Sequence, residues 1–194
     1  RMMTPEMLVI ADARQPVALA GIMGGAASEI RADTRTVLLE SAYFKPQIIR
    51  STSKRLALTT ESSYRFERGV DIEGVEWASR RAAALMVAHA GARVCRGVID
   101  LYPGKRPRRR VRLRYARARA LTGVNLPDAA MAAILASVEL KVVAQDPEGC
   151  EVEVPAFRVD VDQEADLIEE VARLHGLENI PAATPQALVT TATA

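Results

Sequence analysis

Between Lys105 and Arg119 the chain carries nine basic residues and no acidic one, and this stretch is entered through Pro103-Gly104-Lys105-Arg106-Pro107. Two prolines and a glycine disfavour helix, and the like charges repel, so the segment reads as a linker. That feature argues against one continuous core. It predicts a first domain over residues 1–104, a second over 105–182 and an Ala- and Thr-rich tail over 183–194. Further on the charge inverts: Asp160, Asp162, Glu164, Asp166, Glu169 and Glu170 follow one another with no basic residue among them. The formal net charge of +2 is therefore the sum of two opposed local fields.

Composition bounds the rest. A chain that is 49% hydrophobic and 26% charged suits a globular protein of one or two domains. No stretch approaches the ~18 apolar residues of a membrane span, and Arg1-Met2-Met3-Thr4-Pro5 lacks the apolar core of a signal peptide, so a cytoplasmic protein is expected. Cys95 and Cys150 have no CxxC partner, which argues against a disulfide framework or a zinc site; both read as buried thiols.

In the first domain, Leu8-Val9-Ile10 and Val17-Ala18-Leu19-Ala20 are short apolar runs, the second leading into Gly21-Ile22-Met23-Gly24-Gly25. Glycines clustered at a strand end allow a sharp turn or a close backbone approach. Val37-Leu38-Leu39 delivers a carboxylate, Glu40, at its end. Pro46 suits the first turn of a helix over 47–56 with Ile49 and Leu56 on one face. The spacing of Val75, Ala78, Ala82, Leu85 and Met86 predicts a helix to Ala90 stopped by Gly91, with Trp77 and His89 as packing residues.

In the second domain Val111, Leu113 and Tyr115 alternate with Arg112 and Arg114, the pattern of a half-buried strand with a basic outer face. Helices are expected over 116–121 and 128–137, the latter capped by Asp128, followed by strands over 140–144 and 150–154. Asp146-Pro147-Glu148-Gly149 is a hairpin turn, and a last helix runs over 164–174 to Gly176. Strand, two helices, hairpin and helix is a winged-helix-like order, and the chain as a whole is α+β.

Two constellations could carry chemistry. Asp166, Glu169 and Glu170 fall at i, i+3 and i+4 on one helix face, with Asp160 six residues earlier. Converging carboxylates repel, and a hard cation such as Mg2+ would relieve them. A solvated first helix turn interacting with the dipole explains the same spacing, and spacing alone favours it. The second constellation is the glycine run, Glu40 and the hydroxyls of Thr59-Thr60-Glu61-Ser62-Ser63, which would make a pocket for a small polar ligand or simply a turn-rich substructure. No His lies near a Ser and no lysine-bearing phosphate loop is present, so neither a serine hydrolase nor an NTPase is indicated.

At these residues the chain resembles a known family. Pro16 to Gly25, Val37 to Phe44 (Val-Leu-Leu-Glu-Ser-Ala-Tyr-Phe) and Ser63-Tyr64-Arg65-Phe66-Glu67-Arg68-Gly69-Val70-Asp71 are similar, in order and spacing, to the B3/B4 domain of bacterial phenylalanyl-tRNA synthetase beta subunits. Phe157-Arg158-Val159-Asp160 and Glu164 to Arg173 resemble the signature of that subunit's B5 domain. The fold implied is a partial, mixed α/β B3/B4 domain followed by a winged-helix-like B5 domain. The chain looks like a fragment that begins inside B3/B4 and ends just after B5.

The resemblance also implies roles. In the family, B3/B4 hydrolyses tyrosine misattached to phenylalanine tRNA, and the carboxylate matching Glu40 recognises the tyrosine hydroxyl. Positions matching Gly24, Thr60 and Ser62 line the editing pocket, although the family more often has alanine where Ser62 stands, and it also uses a histidine that lies outside this chain. Glu40 is then a specificity residue rather than a general base, with the hydrolytic water positioned by backbone groups and the tRNA terminus. Asp160, Asp166, Glu169 and Glu170 match the family's magnesium ligands. The implied partners are the alpha subunit, in an alpha2beta2 heterotetramer, and phenylalanine tRNA, with no membrane. ATP is used at the alpha-subunit site, so this chain alone is not expected to aminoacylate. The alternative, from another functional class, is a scaffold that binds RNA or a partner through its arginines without catalysis.

Overall fold

The computed structural model describes residues 2–182. Its backbone divides into two units: one runs to Arg106 and includes Ala156–Val159, the other comprises Pro107–Pro155 and residues 160–182. The chain is α+β, with helices and two antiparallel sheets of three strands each.

In the first unit the glycine run closes a small sheet. Strands β1 (Val9–Ala11), β2 (Pro16–Leu19) and β3 (Met23–Gly24) lie in that order, and Ala18 pairs with Gly24 and Leu19 with Met23. Helix α1 (Pro46–Leu56) begins with proline at its first position, where a missing N–H costs nothing, and stops at Ala57 in the left-handed region. It buries Ile49, Thr52 and Ser53; Leu56 is half-buried. Helices α2 (Glu61–Phe66) and α3 (Val75–Ala90) follow, and α3 ends at Gly91 with φ 61°.

The first unit differs from expectation in what it buries. None of the 16 residues of α3 is buried. Trp77 is 71% exposed and His89 is exposed too, so neither is the packing residue that spacing suggests. Val37, Leu38 and Leu39 join neither sheet, and Leu38 is 95% exposed. Helical spacing reports an apolar stripe, whereas burial requires something against it. Among the described residues of this unit the buried hydrophobic side chains are Met7, Ala20, Ile22 and Ile49.

The second unit has the larger core. Strand β4 (Arg110–Arg114) leads into α4 (Tyr115–Thr122) and α5 (Asp128–Ser137), then β5 (Lys141–Asp146), β6 (Gly149–Glu153) and α6 (Glu164–His175). The sheet order is β4-β6-β5, so this unit's last strand in sequence lies between the other two. Strand alternation sends Val111 and Leu113 inward to meet Tyr115, Met131, Leu135 and Val152, while Arg110, Arg112 and Arg114 point to solvent. Cys150 is buried in this core but Cys95 is exposed, which corrects the expectation for one of the two thiols. Asp128 is not a cap: Pro127 holds the N-cap position of α5, and Asp128 instead pairs with Arg119.

The exposed arginines are matched by acids of the same unit. Arg108 pairs with Glu153 at 3.3 Å, Arg110 with Glu151 at 3.6 Å and Arg112 with Asp146 at 2.8 Å. Arg114 grips Glu164 with two nitrogens, Nε to Oε1 at 3.0 Å and Nη2 to Oε2 at 2.6 Å, and Arg117 reaches the same carboxylate at 3.3 Å. Exposed pairs of this kind contribute only about 0.2–1 kcal/mol each. Their greater effect is on register, because a one-residue slip would turn every arginine of β4 inward and Val111 and Leu113 out. After Pro155 the chain passes through Ala156–Val159, where Val159 lies over Gly69 with its Cγ1 3.2 Å from the place a Cβ would occupy.

The tightest backbone approach in this sheet is at Gly149, where a Cβ would stand 2.1 Å from the carbonyl oxygen of Leu113. Gly149→Ala should therefore cost about 2–3 kcal/mol by forcing β4 and β6 apart. Gly104→Ala, with nothing within 4 Å of the new Cβ, should stay within about 0.5 kcal/mol of the parent. Urea unfolding of the two variants beside the parent chain checks this.

Candidate functional site

The glycine run and the hydroxyl-rich segment, about forty positions apart in sequence, are drawn together in the first unit. Gly21 turns the chain at φ 66°, in the left-handed region. A Cβ there would meet Phe44 Cδ2 at 3.0 Å, Ile49 Cδ1 at 3.1 Å and Phe66 Cδ2 at 3.3 Å, and the two phenylalanine rings lie 5.0 Å apart. The carbonyls on either side of the turn are held by α2: Ser62 Oγ donates to Gly21 O at 2.9 Å, and Thr60 Oγ1 donates to Ile22 O at 2.8 Å.

Thr60 does this while capping α2. Its hydroxyl accepts the Ser63 N–H at 3.0 Å, and Ser63 Oγ accepts the Thr60 N–H at 2.9 Å, a reciprocal capping box. The Thr60 oxygen thus donates one bond and accepts another, and its role in the geometry is to fix the turn. Ser62 donates its one proton to the backbone and keeps acceptor capacity. Ser63, fully buried, is as central as either, and the spacing of a hydroxyl residue three positions after Thr60 was its sequence signal.

Gly24 lines a cavity of about 350 Å³ beside the turn, whose wall includes Val17, Leu19, Met23, Leu56 and Leu58. Of the four residues expected in the editing pocket, it alone is in that wall; Thr60 and Ser62 stand behind the turn. Glu40 forms no hydrogen bond or ion pair with them among the described residues. Its carboxylate is exposed, yet the protein around it removes enough water to raise its pKa above the ordinary value. The next residue is anchored, Ser41 Oγ donating to Val75 O at 2.9 Å.

The four acids expected to share a cation are placed differently from one another. Asp166 serves the start of α6, its Oδ2 accepting the N–H groups of Asp162 at 2.8 Å and Gln163 at 2.9 Å, and Gln163 completes a capping box. Glu170 is buried and its Oε2 takes Arg173 Nη2 at 2.6 Å. Glu169 and Asp160 are exposed. Among the described residues no group of three or more His, Cys, Asp or Glu side chains is placed to hold a metal ion. As placed, these acids do not fit a shared magnesium ion, since the helix and Arg173 already occupy two of them.

Residues 1–91 match the family model of the B3/4 domain, and residues 111–177 match that of the tRNA synthetase B5 domain. Over 189 residues the chain is 52% identical to the phenylalanine–tRNA ligase beta subunit of Geobacter metallireducens, covering 97% of this chain. The chain belongs to the phenylalanine–tRNA ligase beta-subunit family. Similar relatives are the beta subunits of Geobacter sulfurreducens, 50% identical over 97% of this chain, and Moorella thermoacetica, 47% identical over 95%. The chain spans about a quarter of the length of these relatives, 24%, 24% and 23% respectively. In the B3/4 part the matched region contains the turn, Glu40 and the α2 cap; in the B5 part it contains the arginine-bearing strand and α6. No helix of the described residues is long and apolar enough to cross a membrane.

Two outcomes follow from this geometry. Gly21→Ala should destabilise the first unit by about 2 kcal/mol, from the left-handed backbone alone at ~1–2 kcal/mol and from crowding of Phe44, Ile49 and Phe66 beyond that; thermal unfolding followed by near-UV circular dichroism reads it. The second concerns acid. Asp166 is held below its ordinary carboxyl range by the N–H groups of Asp162 and Gln163, Glu164 by Arg114, and Asp146 by Arg112. Groups with depressed folded pKa values add stability above their unfolded values, near pH 4, and that stability is lost as pH falls through the folded values. The melting temperature of the second unit should fall from pH 5 downward, and Asp166→Asn should flatten that dependence.

Proposed function

We propose that this chain is the editing and scaffold portion of a phenylalanine–tRNA ligase beta subunit. In this reading the whole enzyme is an aminoacyl-tRNA synthetase that joins phenylalanine to its tRNA with ATP, used at the alpha-subunit site, and with Mg2+ as a cofactor, in an alpha2beta2 assembly in the cytoplasm. The B3/4 part hydrolyses tyrosine wrongly attached to that tRNA. What supports the assignment is the paired match to B3/4 and then B5 in one chain.

The editing role rests on one observation of the site: an exposed carboxylate, Glu40, with no partner of its own among the described residues and a raised pKa, on a segment anchored at Ser41. Tyrosine and phenylalanine differ by one hydroxyl. An apolar synthetic pocket rejects an added hydroxyl only about a hundredfold, so a second sieve that demands the hydroxyl is useful. Glu40 accepts the tyrosine O–H; phenylalanine would desolvate the carboxylate and leave it unpaired. The turn at Gly21, fixed by Thr60 and Ser62, supplies rigid backbone groups for the water, as the matched region has no evident nucleophile.

The alternative of an RNA-binding module built on the arginine run is weakened by the pairing of Arg108, Arg110, Arg112, Arg114 and Arg117 with acids of their own unit. In the full-length enzyme Glu40→Ala should lose most of the discrimination between tyrosyl-tRNA and phenylalanyl-tRNA in deacylation, by about a hundredfold or more, while aminoacylation is unchanged. Equal discrimination by mutant and parent would overturn the editing role.

A further inference from the structure

Glu40 stands in a stretch of chain that very little holds. Residues 35–40 are all exposed, Leu38 to 95%, and burial resumes at Ser41. No helix or strand includes residues 35–44, so conformational entropy opposes any single arrangement of them. Among the described residues, the one hydrogen bond made by residues 35–44 is that donated by Ser41 Oγ to Val75 O at 2.9 Å. The next fixed point is Phe44, whose ring lies 5.0 Å from that of Phe66 and packs toward the Gly21 turn. The stretch is thus open before Glu40 and pinned immediately after it.

The acceptor is suited to being an anchor. Val75 is the first residue of α3, a helix of 16 residues. In an α-helix such a carbonyl accepts the N–H four residues on, and its second lone pair stays available to an outside donor. The Ser41 bond therefore adds to the helix without competing with it. Consecutive Cα atoms across a trans peptide are about 3.8 Å apart, so a tether on Ser41 leaves Glu40 little beyond its own dihedral angles. That matters for a carboxylate that must accept one hydroxyl proton. An O–H···O bond is good only over about 2.5–3.0 Å, and a misplacement of about 1 Å can lower a rate about a hundredfold.

We propose that Ser41 is a positioning residue for tyrosine recognition: its hydroxyl, bonded to Val75 O, holds the Glu40 carboxylate where the phenol of the misattached tyrosine meets it. Ser41 itself does not touch the substrate. This rests on the reading of Glu40 as the residue that recognises the tyrosine hydroxyl, and it names what keeps that carboxylate in place.

A double-mutant cycle in the full-length enzyme tests it, scored as the ratio of tyrosyl-tRNA to phenylalanyl-tRNA deacylation. Ser41→Ala should lower that ratio about tenfold with aminoacylation unchanged, and Ser41→Thr, which keeps the hydroxyl, should retain the parental ratio. In the Glu40→Ala background Ser41→Ala should change the ratio no further, because a residue acting through Glu40 then has nothing to position. A merely structural hydroxyl would slow both deacylations alike and add its effect to that of Glu40→Ala. Near-UV circular dichroism shows whether Ser41→Ala keeps the fold; where it does not, Ser41→Cys, close in volume and only a weak donor, takes its place in the cycle. A parental ratio in the variant without the hydroxyl, an equal loss in Ser41→Thr, or additive effects in the double variant overturns the proposal. Any of these leaves the editing role standing when Glu40→Ala alone loses discrimination. Parental discrimination by Glu40→Ala removes the editing role, and the role of Ser41 with it.

Discussion

The first unit is organised around a hydrogen atom. At Gly21 three separate segments meet where a side chain would otherwise stand: Phe44 from the stretch after Glu40, Ile49 from α1 and Phe66 from α2. The turn can be this tight because glycine tolerates φ 66°. It stays fixed because α2 begins by donating two hydroxyl protons into the carbonyls of Gly21 and Ile22. The same capping residue therefore starts a helix and positions a turn, which couples local secondary structure to the site without spending any ligand-facing atom.

The second unit solves a different problem. Its sequence piles arginines on one strand and acids on a distant helix, an arrangement that would repel within each segment if either were left alone. The sheet interleaves them. β6 lies between β4 and β5 and brings Glu151 and Glu153 beside the arginines, while the first turn of α6 offers Glu164 to Arg114 and Arg117. Screening and exposure keep each pair weak, so the apolar cluster around Leu113, Leu135 and Val152 holds the unit together and the charges select among registers.

Much of this was legible in the residues themselves. Pro46 and Gly91 marked helix ends, the alternation from Val111 marked a half-buried strand, and Asp146 to Gly149 marked the hairpin, because each depends on local backbone chemistry. Burial was not legible. The spacing on α3 is that of an apolar stripe, but Trp77 is exposed, since periodicity cannot say what lies opposite. The acids of α6 show the same limit: i, i+3 and i+4 place carboxylates on one face, yet Asp166 is occupied by N–H groups just upstream and Glu170 by Arg173. Gln163 three positions before Asp166 was the signal for the cap. Of the expected pocket residues, Gly24, Thr60 and Ser62 were traceable to one turn, while the cavity wall from Val17 to Leu58 had no sequence signature beyond being apolar.

The excursion of Ala156–Val159 gives the second unit a property that the sequence order hides. The chain crosses between units after Arg106, after Pro155 and after Val159, so the second unit is made of two pieces of chain. A single backbone break at any one of these crossings leaves the two units joined through the others. The loop between β6 and α6 is also fixed at its middle, by Val159 seated on Gly69. Its closure entropy is thereby set by the folding of residues elsewhere in the chain. Loss of order at Gly69 would lengthen the free connection between β6 and α6, although Gly69 is distant from both in the sequence.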